Sequence, residues 1–156
     1  MIISERVSAL LQSQVANELR NRMAYKAMSS WAHVRGLKGI AKYFEDQAND
    51  ELLHSDKILG YLNDANVQIQ IPSIPFTGSY QDCESIARAY NEIEAGTTDE
   101  IDAIYTLAIE DKDFGTQQFL DWFAGEQVEE MGKAERFVNL VTTANGDLIK
   151  LDLMFS

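Results

Sequence analysis

Proline is nearly absent from this sequence: 156 residues hold two, Pro72 and Pro75, in one short stretch. Glycine is sparse too, at nine. An all-β domain needs such punctuation at every turn, so long helices are expected. Cysteine occurs once, as Cys83, which excludes an internal disulfide and fits a reducing compartment. No apolar run reaches the ~20 residues of a membrane span, and the opening MIISERVSALLQSQVANELRNR lacks the basic start of an export leader. A cytoplasmic protein with no membrane partner is expected. Positive charge is the last shortage: 13 Lys and Arg stand against 25 Asp and Glu, a formal net charge of -12. Such a chain repels nucleic acid and attracts cations.

What is present suits one compact all-α domain over residues 1–156, with 46% hydrophobic residues to fill its core. Four segments show helical periodicity, from Ser4 to Val34, Lys38 to Asn66, Asp82 to Asp111 and Gly115 to Ala144. RGLKG joins the first two and KDFG the last two, short turns that make antiparallel neighbours. Between the pairs, NVQIQIPSIPFTGSY is extended and Pro-containing, and at ~3.3 Å per residue it can run the length of a bundle. Short, long and short connections predict a four-helix bundle with one crossover. After the Asn145-Gly146 stop, LIKLDLMFS predicts a short fifth helix that needs packing against its own bundle or a neighbouring subunit.

The chemistry lies in acids on apolar stripes. In helix two the stripe runs Phe44, Ala48, Glu51, Ser55, Ile58, Leu62, which places a glutamate among core positions with His54 one turn on. Glu18 continues Leu11 and Val15 in helix one, and Tyr25 follows two turns later. Glu94 lies between Tyr90 and Ile101 in helix three. In helix four Gln127 and Glu130 take core steps between Phe123 and Ala134, with Glu126 one turn before Glu130. Burying one unpaired charge is costly, whereas carboxylates that repel one another become ligands around metal ions. One imidazole among many carboxylates, with no thiolate, favours iron or manganese over copper and structural zinc. Tyr25 fits core filler bonded to a nearby acid as well as a redox group. His33 reads as a surface or turn residue, and Trp31 and Trp122 as packing residues.

Over essentially its whole length the chain resembles bacterial non-haem ferritins: NELRNRMAYKAMSSW in helix one, NDELLH in helix two, the crossover before Tyr80, and FLDWFAGEQVEEM, the most specific match, in helix four. The resemblance implies the ferritin-like fold and a di-iron ferroxidase centre. Site A would comprise Glu18, Glu51 and His54; site B would comprise Glu51 as bridge, Glu94 and Glu130, with Gln127 adjacent. Tyr25 would be the redox-active tyrosine, and Asp50, Glu126, Glu129 and Glu130 would form a third, transit site. Fe(II) would be oxidised by O2 or H2O2 and stored as Fe(III) mineral in a homo-oligomeric cage of 24 subunits.

The departures from the family pattern carry information. Asp50 replaces the more usual glutamate and shortens one ligand of the third site. Helix four lacks a second E-x-x-H, since neither position 129 nor position 133 is histidine, so two irons share one nitrogen ligand and site B should hold iron more loosely. Leu52 stands where bacterioferritins carry the haem-ligating methionine, so no haem is expected. The main alternative is a di-iron oxidase or peroxidase that retains its metals, against which the single E-x-x-H argues. A catalytically silent subunit would lack several of the acids, and a DNA-protecting mini-ferritin would place its histidines differently.

Overall fold

The computed structural model describes residues 2–76 and 78–156; Thr77, in the crossover, and Met1 lie outside the described residues. Five helices follow one another: α1 (Glu5–His33), α2 (Lys38–Asp64), α3 (Cys83–Glu110), α4 (Phe114–Ala144) and α5 (Leu148–Leu153). The four expected segments agree with α1 to α4 within two residues at each end. No helix is long and apolar enough to cross a membrane among the described residues.

Three of the four long helices start on a side-chain cap. Ser4 accepts from the Val7 backbone N–H at 3.2 Å, Asp113 from Thr116 at 2.9 Å, and Asp82 and Ser85 cap each other's backbone at the head of α3. Stops are equally local: Gly36 (φ 73°) turns the chain between α1 and α2, and Asn145 (φ 48°) with Gly146 (φ 87°) ends α4. The second hairpin differs from expectation. Gly115 lies inside α4, and the left-handed residue between α3 and α4 is Lys112 (φ 54°).

The pairs α1 with α2 and α3 with α4 pack side by side, and α1 also meets α3. Their buried faces form two apolar clusters. One holds Tyr25, Met28, Phe44, Tyr90 and Phe137; the other holds Val7, Leu11, Ile58, Leu62, Leu120 and Phe123. Between them lies a polar layer of Gln14, Glu18, Asn21, Gln47, Glu51, His54, Glu94, Thr97, Gln127 and Glu130, all buried. The apolar ends stabilise the bundle and hold the acid layer away from water.

The fifth helix packs on its own bundle. Leu151 is fully buried, Asp152 accepts from the Ile40 backbone N–H at 2.8 Å, and Gly39 permits the approach: a Cβ there would collide with the Asp152 carbonyl oxygen. Ile149 and Leu153 on its outer side remain exposed.

Candidate metal centre

Glu18, Glu51 and His54 come together from two helices, each offering a ligand atom within 4.8 Å of the others. The Nδ1 of His54 lies 3.7 Å from Glu18 Oε2 and 3.8 Å from Glu51 Oε2. Both oxygens are buried and have no hydrogen-bond partner. Buried polar atoms are almost always satisfied, so two orphaned carboxylate oxygens converging on an imidazole fit a cation between them.

The remaining acids meet this group from the other pair of helices. Tyr25 donates its hydroxyl hydrogen bond to Glu94 Oε1, and Gln127 Nε2 donates to Glu94 Oε2 at 3.2 Å and to Thr98 Oγ1 at 3.2 Å. Glu130 is fully buried; Gln47 Nε2 donates to its Oε2 at 2.8 Å and Lys133 Nζ to its Oε1 at 3.1 Å. Gln14 steadies Glu18 from one turn away, donating to Oε1 at 3.0 Å.

Electrostatics separate Glu18, Glu51 and Glu94. Burial pushes Glu51 well above the carboxylate range, and the Glu18, Glu94 and Glu130 charges push it further. Burial raises Glu94 from 4.5 to about 7, with the Tyr25 and Gln127 hydrogen bonds opposing the rise. Burial also works against ionisation of Glu18, but the neighbouring Glu51 carboxyl and His54 imidazole, the His54 charge and the Gln14 hydrogen bond outweigh it and hold Glu18 low. His54 is raised in turn: burial disfavours its charge, and Glu18 more than compensates. Burial and like charge thus favour the protonated form of Glu51 in the absence of metal, and an incoming cation would compete with that proton.

The third-site residues are less closely gathered. Glu126 Oε1 is 3.8 Å from His54 Nε2, and Asp50 is partly buried. Asp50 is raised by burial and by Glu130, against the pull of Lys133 and His54. Glu129 is exposed. Trp31 is buried as expected. Trp122 is half-exposed, with its ring 5.5 Å from His54 and the Lys57 ammonium over the ring, 3.8 Å from its centre. It therefore covers the imidazole and does not fill the core. Two participants escaped sequence reading. Gln47 sits one turn before Glu51 and its spacing was visible; Lys133 follows Glu130 by three residues, but a lysine on a helix reads as surface.

A helical bundle whose central layer holds carboxylates and one imidazole, with ligand atoms left free, fits the carboxylate class of metal-binding bundles. The chain belongs to the ferritin-like domain family, whose model matches residues 8–144. It is 29% identical over 149 residues to a bacterial non-heme ferritin of Staphylococcus aureus, covering 94% of this chain and 89% of that one. It is also 29% identical over 146 residues to ferritin BfrB of Mycobacterium tuberculosis, covering 92% and 80%. Its structure is similar to the open pore ferritin of the archaeon Archaeoglobus fulgidus, with a TM-score of 0.94 at 27% identity over 98% of this chain and 97% of that one.

Proposed function

We propose that this chain is a cytoplasmic iron-storage ferritin with ferroxidase activity. The observation that carries the reading is the pair of buried, unpartnered oxygens on Glu18 and Glu51 facing His54 Nδ1. Fe(II) is the substrate. One ion binds Glu18, Glu51 and His54; a second binds Glu51 from its other side together with Glu94 and Glu130, with Gln127 holding Glu94 in place. Two Fe(II) supply two electrons to O2, giving peroxide, or to H2O2, giving water, and the Fe(III) products move on to a mineral. Tyr25, hydrogen-bonded to Glu94, can lend an electron and pass its phenolic proton to that carboxylate. Asp50, Glu126, Glu129 and Glu130 serve as a third, transit site.

Weak retention of the second iron suits storage. Only the first position has a nitrogen ligand, so the second should empty more readily, whereas a resident-cofactor oxidase needs both held. The outer apolar residues, among them Ile149, Leu153, Val128 and Phe114, give a bundle of this size surfaces to bury in a shell, which we take to be a homo-oligomer of 24. The test is anaerobic Fe(II) titration followed by stopped-flow oxidation and sedimentation. The reading expects two irons per chain, a fast phase exhausted at that ratio, and iron that sediments with the protein at far higher loading. Two irons that survive desalting and never accumulate further would establish the retained-cofactor oxidase.

A further inference from the structure

Only one of the four buried acids is neutralised by a lysine. Lys133 Nζ stands 3.1 Å from Glu130 Oε1 and 3.4 Å from Gln47 Oε1, while Gln47 Nε2 donates to Glu130 Oε2 at 2.8 Å. Gln47, Glu130 and Lys133 thus close a ring in which both Glu130 oxygens are engaged. The contrast with Glu18 and Glu51, whose free oxygens wait unpartnered, is direct. The lysine is not locked in. Its side chain is 42% exposed and borders a cavity of about 430 Å³, whose wall includes Asp46 and Asp50. An ammonium that leaves Glu130 has room and two other carboxylates to meet.

We propose that Lys133 is a tethered cation that competes with the second iron for Glu130, so that the second position fills only as the lysine swings into the neighbouring cavity. The inference rests on the two-iron reading above and adds its regulation. A dication and an ammonium bound to the same carboxylate repel each other, and in a buried layer that repulsion is poorly screened. The first position, built from Glu18, Glu51 and His54, lies on α1 and α2, and the lysine's hydrogen bonds and ion pair go to Gln47 and Glu130 instead. The consequence is an ordered pair of sites: one ready, one held shut by a charge that returns whenever the metal leaves. Lys133 is a positioning residue, acting on the metal through Glu130.

The test is calorimetric and spectroscopic titration of the metal-free protein with Co²⁺, which binds oxygen and nitrogen ligands without turning over. Wild type is compared with Lys133→Met, Lys133→Gln and Lys133→Arg. The expected result is a second Co²⁺ bound roughly tenfold tighter in the Met and Gln variants, a first Co²⁺ unchanged, and wild-type behaviour in the Arg variant, which keeps the charge. Gln preserves a donor to Glu130 and serves if the Met variant fails to assemble. Two ions bound with wild-type affinities in Lys133→Met and Lys133→Gln would overturn the lysine's role and leave the two-iron reading standing. Equal tightening of both ions would also overturn it, since that is a general field effect. A single ion bound in every variant would overturn both readings together.

Discussion

Replacing Glu94 by glutamine should change how the metal-free protein responds to pH. Glu94 is 1% exposed, and its carboxyl is raised from 4.5 to about 7, by burial above all. The folded protein therefore holds a proton that the unfolded chain releases between these two values. With more protons on the folded state, stability is complete below about 4.5 and falls as pH rises through about 7. At roughly 1.4 kcal/mol per tenfold change in proton affinity, the loss amounts to about 3 kcal/mol per subunit. Glutamine cannot ionise, so Glu94→Gln should remove this part of the pH dependence. The amide is not free of cost. Its oxygen can still accept from Tyr25, but its nitrogen then faces the Gln127 donor. Turning Gln127 over would sacrifice its hydrogen bond to Thr98, costing about 1 kcal/mol. The variant should thus be slightly less stable than wild type near pH 4.5 and more stable by about 2 kcal/mol at pH 8. The assay is denaturant unfolding of metal-free protein across that range, followed by circular dichroism at one fixed concentration because assembly contributes to stability. Parallel curves for the two proteins would show that Glu94 titrates normally and that the buried acid layer has been misjudged.

Glu51→Ala should abolish the fast oxidation phase, since Glu51 is the acid proposed to touch both irons, while Glu94→Ala or Glu130→Ala should slow it less completely; a retained fast phase would make Glu51 structural. Because Glu51 is buried with an unpartnered oxygen among like charges, the same change should leave the apo protein as stable as wild type or up to about 1 kcal/mol more so, by thermal unfolding. Gly39→Ala should loosen α5, because its methyl carbon would meet the Asp152 carbonyl; a cost of about 1–3 kcal/mol and faster amide exchange across Leu148–Leu153 are expected, and unchanged exchange would count against the contact.

The sequence by itself determined the secondary structure and most of the acid layer. Helix is legible because each stripe repeats at the helical period and three of the four long helices start on a side-chain cap, Ser4, Asp82 and Asp113 being local signals. Glu18, Glu51, Glu94, Gln127 and Glu130 were readable as inward-facing because each takes an apolar position on such a stripe, with His54 one turn beyond Glu51, and all six are buried. Tertiary structure decided how those side chains pair, because pairing depends on neighbours distant along the chain. Periodicity says which way Glu130 points; only the packing of α2 against α4 brings Gln47 to it across 83 residues. Lys133 shows the same limit. Its i,i+3 spacing from Glu130 permits a contact, yet exposed lysines on helices have that spacing everywhere, and only burial of the carboxylate beside it turns the pair into a competitor for metal. Trp122 reads from sequence only as a packing residue; the fold sets it at the rim over His54, because the orientation of α4 toward α2 is fixed by the whole bundle and not by the residue.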